Sequence, residues 1–294
     1  MSKPINLVLS GGGARGIAHI GVIEVLEQHG FEIMAIAGTS MGALVGGIYT
    51  GGGTTEFKNW LFNADIKLAV KMLDFSFKLP GLIKGEKIMH RIEQMLTIKE
   101  IGNLRIPYTA VATDLNQNLE VNFTNGKLIE AIRASIAIPT IFTPVYKDRQ
   151  ILLDGGLVNN IPLNRLPDNG LPVVAVCANA DIPVTNDLQQ IMHSNQKDET
   201  DYNQKLIKIR QHINKMLHHK KTGDDRLGYT EILDRSLHLL IAQISNQIIA
   251  QHQPDLLINI PRKLAGTLDF LKAEKIYNAG LYLAEKALKN SNNL

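Results

Sequence analysis

The chain has 294 residues, 45% of them hydrophobic and 20% charged, with a formal net charge of +3, a composition ordinary for a globular enzyme and long enough to bury a large core. So small a positive balance excludes the single-sign surface that a nucleic-acid partner requires. The lone cysteine, Cys177, excludes an intramolecular disulfide and fits a reducing compartment.

In chain order, the N-terminal run 5–10, INLVLS, is apolar and stopped by glycines, which predicts a buried strand. It is too short for a secretory h-region, and no stretch nears the roughly 20 apolar residues of a membrane span. The expectation is a cytoplasmic protein, peripheral at any membrane, with signal-less export left open. Ile17, Ile20, Val22, Ile23 and Leu26 then recur at helical spacing, and Gly30 closes that helix. The run 33–38, IMAIAG, predicts a second strand, and a second helix starts near Met41. This β-α-β-α start predicts a three-layer α/β/α fold around a mostly parallel sheet.

Further strands are predicted at 108–115, 119–123, 150–154, 172–179 and 255–261, and helices near 54–62, 86–96, 126–134, 203–218, 229–251 and 269–289. Residues 183–228 are rich in Asn, Gln, Lys, Asp and His. They read as a polar, partly helical and partly mobile insertion within one catalytic domain spanning 1–294. Together with the helix that follows, the insertion reaches from about 183 to 253.

Three stretches carry chemistry. The first is GTSMG at 38–42, where Ser40 lies between Gly38 and Gly42, after an apolar run and before a helix. A sharp strand-to-helix turn lifts such a serine above the sheet and aims the N–H of Met41 and the helix N-terminus at a reacting carbonyl. The glycines are needed because a β-carbon would clash inside the turn.

The second is SGGGARG at 10–16. Gly11, Gly13 and Gly16 spell the dinucleotide-binding G-x-G-x-x-G, but that reading needs an acid ending the second strand. Glu32 precedes that strand, and its end is occupied by the serine turn. An oxyanion loop is the reading that fits, each donor being worth about 2.7–4 kcal/mol in a transition state.

The third is Asp154, which ends a predicted strand before Gly155 and Gly156 and the amides Asn159 and Asn160. If strand ends gather on one edge of a parallel sheet, Asp154 reaches Ser40 and takes its proton. The competing reading is a carboxylate that merely caps the glycine turn. None of the nine histidines sits at a predicted strand end; they read as surface or helix-face residues.

In this order, GGGARG at 11–16, GTSMG at 38–42 and DGG at 154–156 resemble the patatin-like phospholipase family, as do VATDL at 111–115, ASIAIPTIFTPV at 134–145 and NNIP at 159–162. The resemblance covers roughly 5–180 and resumes at PDLLINIP and the final helix. It implies a serine lipid acyl hydrolase of phospholipase A or lysophospholipase type, acting through a histidine-free Ser–Asp dyad. Ser40 would be the nucleophile, Asp154 the base, and Gly11, Gly12 and Gly13 the oxyanion donors. Arg15 occupies the family's basic position, there to brace the loop or to hold a phosphate. The implied partner is a lipid or phospholipid, and neither metal nor cofactor is needed. The rival of another class is a lipid-binding or interaction protein whose dyad is idle or awaits an activator; oligomeric state stays open.

Three weaker signals remain. Residues 57–84 combine Phe57, Trp60, Leu61, Phe62, Phe75 and Phe77 with five lysines. Such aromatics are more often core than lipid-facing, with membrane contact the alternative. HHKKTGDD at 218–225 has no spacing that fixes metal ligands and reads as a solvated loop. The run 229–251 is apolar around much of its circumference, so something must cover it.

Overall fold

A computed structural model describes residues 2–76, 82–193 and 228–291. The predicted helix at 203–218 and the segment 218–225 lie outside them. Eight strands form one sheet: β1 (Lys3–Leu9), β2 (Phe31–Thr39), β3 (Tyr108–Asp114), β4 (Leu119–Phe123), β5 (Val145–Lys147), β6 (Gln150–Asp154), β7 (Val173–Ala180) and β8 (Leu256–Pro261). The run β3-β2-β1-β7-β8 is parallel, while β4 and β6 pair with β3, and β5 with β6, antiparallel. The strand order reverses at β1, with β2 and β3 added on one side and β7 and β8 on the other, so the glycine loop opens at a topological switch point.

Alternation along the strands makes two cores. Leu7, Leu9, Val174, Val176 and Ile258 face one side, with α1 (Ala18–Gln28), α2 (Met41–Thr50) and α3 (Thr54–Phe62) packed there. Val8, Ala37, Ala175 and Cys177 face the other, against Ile161 and Leu163. Strands buried on both faces carry continuous apolar runs, which is why β1, β2 and β7 were legible. The expected three-layer α/β/α fold with a mostly parallel sheet is the one observed.

The remaining helices are α4 (Ile66–Met72), α5 (Glu86–Glu93), α6 (Leu128–Ser135), α7 (Asn186–His193), α8 (Tyr229–His252) and α9 (Ala273–Asn290). Neither α4 nor the three-residue β5 stands out in the sequence; α4 buries no residue and so leaves no apolar periodicity to read. In α3, Phe57 and Leu61 are buried, and Trp60 and Phe62 pack against the same core. Those aromatics are therefore core, while α4, from the expected membrane-facing stretch, stays turned to solvent, with Lys67, Val70 and Lys71 exposed. Phe77 lies outside the described residues. Among the described residues no helix is long and apolar enough to cross a membrane.

Register decides where the chemistry collects. Along one side of β3, Thr39 at the end of β2 pairs with Val111, and Asp154 at the end of β6 pairs with Ala112. The other side is taken by β4, where Asn122 and Val121 meet the same two residues. Strands β2 and β6 therefore abut C-terminus to C-terminus on one edge of β3, a single residue step of about 3.3 Å apart. This corrects the expectation that Asp154 arrives on a strand parallel to β2: it arrives head-on.

Candidate active site

Ser40 sits at φ 54°, ψ −122°, a sparsely populated conformation for a residue with a side chain. Three contacts hold it there. Its N–H donates to Ser135 Oγ at 2.9 Å, Ser135 Oγ donates to Val111 O at 2.5 Å, and Thr39 Oγ1 donates to Asn159 O at 2.7 Å. The turn also needs its glycines. A β-carbon on Gly42 would stand 2.0 Å from Leu9 O, and one on Gly38 2.6 Å from the Gly42 carbonyl. On the other limb, a β-carbon on Gly155 would meet Val111 O at 2.3 Å.

Asp154 is buried beside this turn. Its Oδ1 accepts the Gly156 N–H at 2.7 Å, and its Oδ2, also buried, has no hydrogen-bond partner among the described residues. Burial pushes the carboxyl up to about 6, while the neighbouring Ser40 hydroxyl and the Gly156 N–H pull it down. The Ser40 hydroxyl thus lies near enough to act on the carboxyl although Oδ2 has no hydrogen-bond partner among the described residues. A carboxylate near 6 is a far better base at neutral pH than an exposed aspartate.

The glycine loop faces the pair. A β-carbon on Gly11 would lie 3.1 Å from Ser40 Cβ. The Gly11 N–H donates to Asn160 O at 3.0 Å, and Ala14 N–H to Thr267 O at 2.9 Å. Gly11 is therefore withdrawn from the expected set of donors. Gly12 and Gly13 line the cleft, and their N–H groups meet no acceptor among the described residues. The N–H of Met41, at the start of α2, is likewise unengaged there. Gly16 gives Met41 room: a β-carbon on it would lie 2.5 Å from Met41 Cγ.

Arg15 is buried, and its guanidinium is spent on the protein. Nε donates to Ala178 O (3.0 Å), one terminal nitrogen to Ala265 O (2.7 Å), and the other to Asn179 Oδ1 (2.6 Å). Of the two roles open to it, bracing is the one its geometry serves.

The sequence left three contributors without a role. Ser135 positions the elbow, as above. The Asn159–Asn160 pair laces the site together, with backbone oxygens accepting from Thr39 and Gly11, and Asn160 Nδ2 donating to Ser245 Oγ of α8 at 3.1 Å. Helix α8 is the third. It brings Leu237, His238 and Ile241 onto the cleft wall, beside Ile138, Ile141 and Leu157. The cleft is small, about 70 Å³. A larger groove of about 440 Å³, between Met89, Phe123 and Leu152, contains neither Ser40 nor Asp154.

Two histidines depart from the reading of all nine as surface or helix-face groups. His19 is completely buried, its Nε2 2.9 Å from Ser10 O, and burial holds it near 4, so it is neutral at pH 7. His238 reaches the cleft; the signal for it was the apolar circumference of its helix, which marked a covering element. Among the described residues no group of three His, Cys, Asp or Glu side chains could hold a metal.

A parallel-centred α/β sheet thus sets a strained serine turn at the end of β2 beside a buried carboxylate at the end of β6, with the glycine loop at the switch point next to them. The family model described as patatin-like phospholipase matches residues 7–166. An uncharacterized NTE family protein of Mycobacterium tuberculosis (strain ATCC 25618 / H37Rv) is 31% identical, aligned over 98% of this chain and 92% of its own. Neuropathy target esterase sws of Drosophila melanogaster is 31% identical over 56% of this chain and 12% of its own length. Among solved structures, VipD from Legionella pneumophila matches with 14% identity and a TM-score of 0.42, over 97% of this chain and 67% of that one. The chain belongs to the patatin-like phospholipase family.

Proposed function

We propose that the chain is a lipid acyl hydrolase of phospholipase A or lysophospholipase type, working through Ser40 and Asp154. The observation that carries this reading is the head-on meeting of β2 and β6, which sets a strained serine against a buried carboxylate raised to about 6. Family membership supports the lipid ester as substrate.

In the first step Ser40 Oγ attacks the ester carbonyl and its proton passes to the Asp154 carboxylate. Negative charge gathers on the carbonyl oxygen, where the N–H groups of Gly12, Gly13 and Met41 are its donors. The tetrahedral species collapses, the C–O bond breaks, and protonated Asp154 gives its proton to the departing alcohol. Water then attacks the acyl-serine, with Asp154 accepting its proton and returning one to Ser40 Oγ. Peripheral contact with a lipid surface through α4, with its exposed Lys67 and Lys71, belongs to the same reading.

The test is hydrolysis of a short-chain nitrophenyl ester and a phospholipid panel by the wild type, Ser40→Ala and Asp154→Asn, with a fluorophosphonate label located by mass spectrometry. The expected outcome is labelling at Ser40 and a loss of at least about 10³-fold in kcat/KM in both variants. Undiminished turnover in Ser40→Ala would refute the assignment. Absence of both labelling and turnover in the wild type would favour a binding protein or an activator-dependent one.

A further inference from the structure

The donors that would meet an oxyanion belong to a loop, and their aim has to come from whatever holds that loop. The Gly12 N–H is one of them, and it shares a trans peptide with Gly11 O. In a planar trans peptide the C=O and the N–H point opposite ways. Whatever fixes Gly11 O therefore aims the Gly12 N–H.

Two side chains fix it. Ser10 Oγ donates to Gly11 O at 3.0 Å and accepts the Ala178 N–H at 2.8 Å. Asn179 Nδ2 donates to the same oxygen at 3.2 Å. Both residues are buried, Ser10 completely. The Asn179 amide is itself held the right way round: Arg15 donates to its Oδ1 at 2.6 Å. A guanidinium carries only donors, so the amide oxygen faces Arg15 and the NH2 faces the loop. The preceding peptide is fixed on the same plan. His19 Nε2 lies 2.9 Å from Ser10 O, and the Gly11 N–H donates to Asn160 O at 3.0 Å. Because a carbonyl oxygen only accepts, Nε2 carries the ring proton of His19.

The hydrogen bonds also form a chain of polarised groups. The Arg15 charge draws on the Asn179 carbonyl, which sharpens the NH2 as a donor. That NH2 draws on Gly11 O, which sharpens the Gly12 N–H. In a buried chain each link strengthens the next by about 10–30%.

Resting on the hydrolase reading above, we infer that Ser10, Asn179 and Arg15 are positioning residues of the oxyanion site. Ser10 and Asn179 aim the Gly12 N–H through Gly11 O, and Arg15 polarises that donor through the Asn179 amide. None of the three needs to touch the substrate, and Arg15 gains a duty beyond bracing.

The test turns on Asn179→Asp. A carboxylate has the same shape, still accepts from Arg15 and cannot donate to Gly11 O. A merely structural Asn179 tolerates that change; an aiming one does not. For a nitrophenyl ester, kcat falls about tenfold in Asn179→Asp and in Ser10→Ala with KM unchanged, because the donor acts only in the transition state. Two ketones with the ester's acyl chain read the same loss without turnover. A trifluoromethyl ketone adds Ser40 Oγ at its carbonyl carbon, the hydroxyl proton passing to Asp154 and the carbonyl oxygen becoming the oxyanion. The methyl ketone binds without adding. Inhibition by the first weakens about tenfold in both variants, while inhibition by the second stays at the wild-type level. Unchanged kcat in either folded variant, or equal weakening of both ketones, overturns the inference. If Asn179→Asp does not fold, Ser10→Ala, which leaves Asn179 and Arg15 in place, carries the same comparison. If the wild type is inactive and unlabelled at Ser40 by a fluorophosphonate, the hydrolase reading fails by itself. If Ser40 is labelled and the two ketones do not separate, only the positioning role fails.

Discussion

At the scale of residues, Asp154 has a function and a stability cost arising from the same burial. Its carboxyl is raised from 3.8 to about 6, so between those values the folded chain holds a proton that the unfolded chain releases. Stability from this group is fully present below about 4 and is lost as pH rises to about 6. The loss amounts to at most about 3 kcal/mol, at 1.36 kcal/mol per unit. The stability of Asp154→Asn relative to wild type is accordingly expected to grow by up to that amount between pH 4 and pH 7, read from urea midpoints at each pH. The activity of the wild type runs the opposite way: kcat/KM for a nitrophenyl ester climbs about tenfold per unit below pH 6 and levels above it, because the base must be ionised. A midpoint near 4 would mean that the carboxyl is solvated in solution. The turn at Ser40 was legible in the sequence because a β-carbon on Gly38 or Gly42 would clash there; that Asp154 lies beside it followed from the order of the motifs and is seen only in the pairing of β6. Ser135 was not: a serine within a helical run carries no mark of the carbonyl or N–H it will meet across the sheet.

At the scale of elements, α8 determines the size of the cleft. A space of about 70 Å³ is far below the roughly 300–1,000 Å³ of ordinary small-molecule pockets, so the proposed hydrolysis of a long acyl ester requires this helix to give way. Ile241 stands at the narrow point, with its Cδ1 3.8 Å from where a β-carbon on Gly156 would be. Ile241→Ala should raise kcat/KM for a long-chain nitrophenyl ester several-fold relative to a butyrate ester, measured below the micelle concentration. A chain-length profile identical to that of wild type would place the restriction elsewhere. The same helix leaves Ile232, Leu233, Leu239 and Leu240 exposed on its outward side, which accounts for its apolar circumference. Strands β1, β2 and β7 were readable because both faces are buried. The direction of β6 was not, because a strand of five residues looks alike whichever way its neighbour runs, and only the pairing with Ala112 settles it.

At the scale of the whole molecule, Arg15 ties the glycine loop to the end of β7 through Ala178 and Asn179, and to the loop after β8 through Ala265. These positions are separated by 163 to 250 residues. Arg15→Met keeps the stem and deletes the donors, so a destabilisation of about 3–5 kcal/mol is expected, read as a fall in Tm of roughly 6–20 °C by calorimetry. The KM of whatever folded protein remains for a phospholipid should match the wild type. A rise in that KM with little change in Tm would show the guanidinium serving substrate after all. Sequence alone could place Arg15 in the loop but not choose its duty, since the acceptors lie at the far ends of other strands.

The head-to-head meeting of β2 and β6 also sets an order of events during synthesis. Ser40 leaves the ribosome long before Asp154, which follows 114 positions later, about 6 to 23 s at 5–20 residues per second. Until β6 docks on the free edge of β3, Ser40 lacks the buried carboxylate that the proposed mechanism gives it. On the proposed mechanism, a truncated or stalled chain therefore carries a serine without its base, and the pair comes together only in a chain long enough to close that edge.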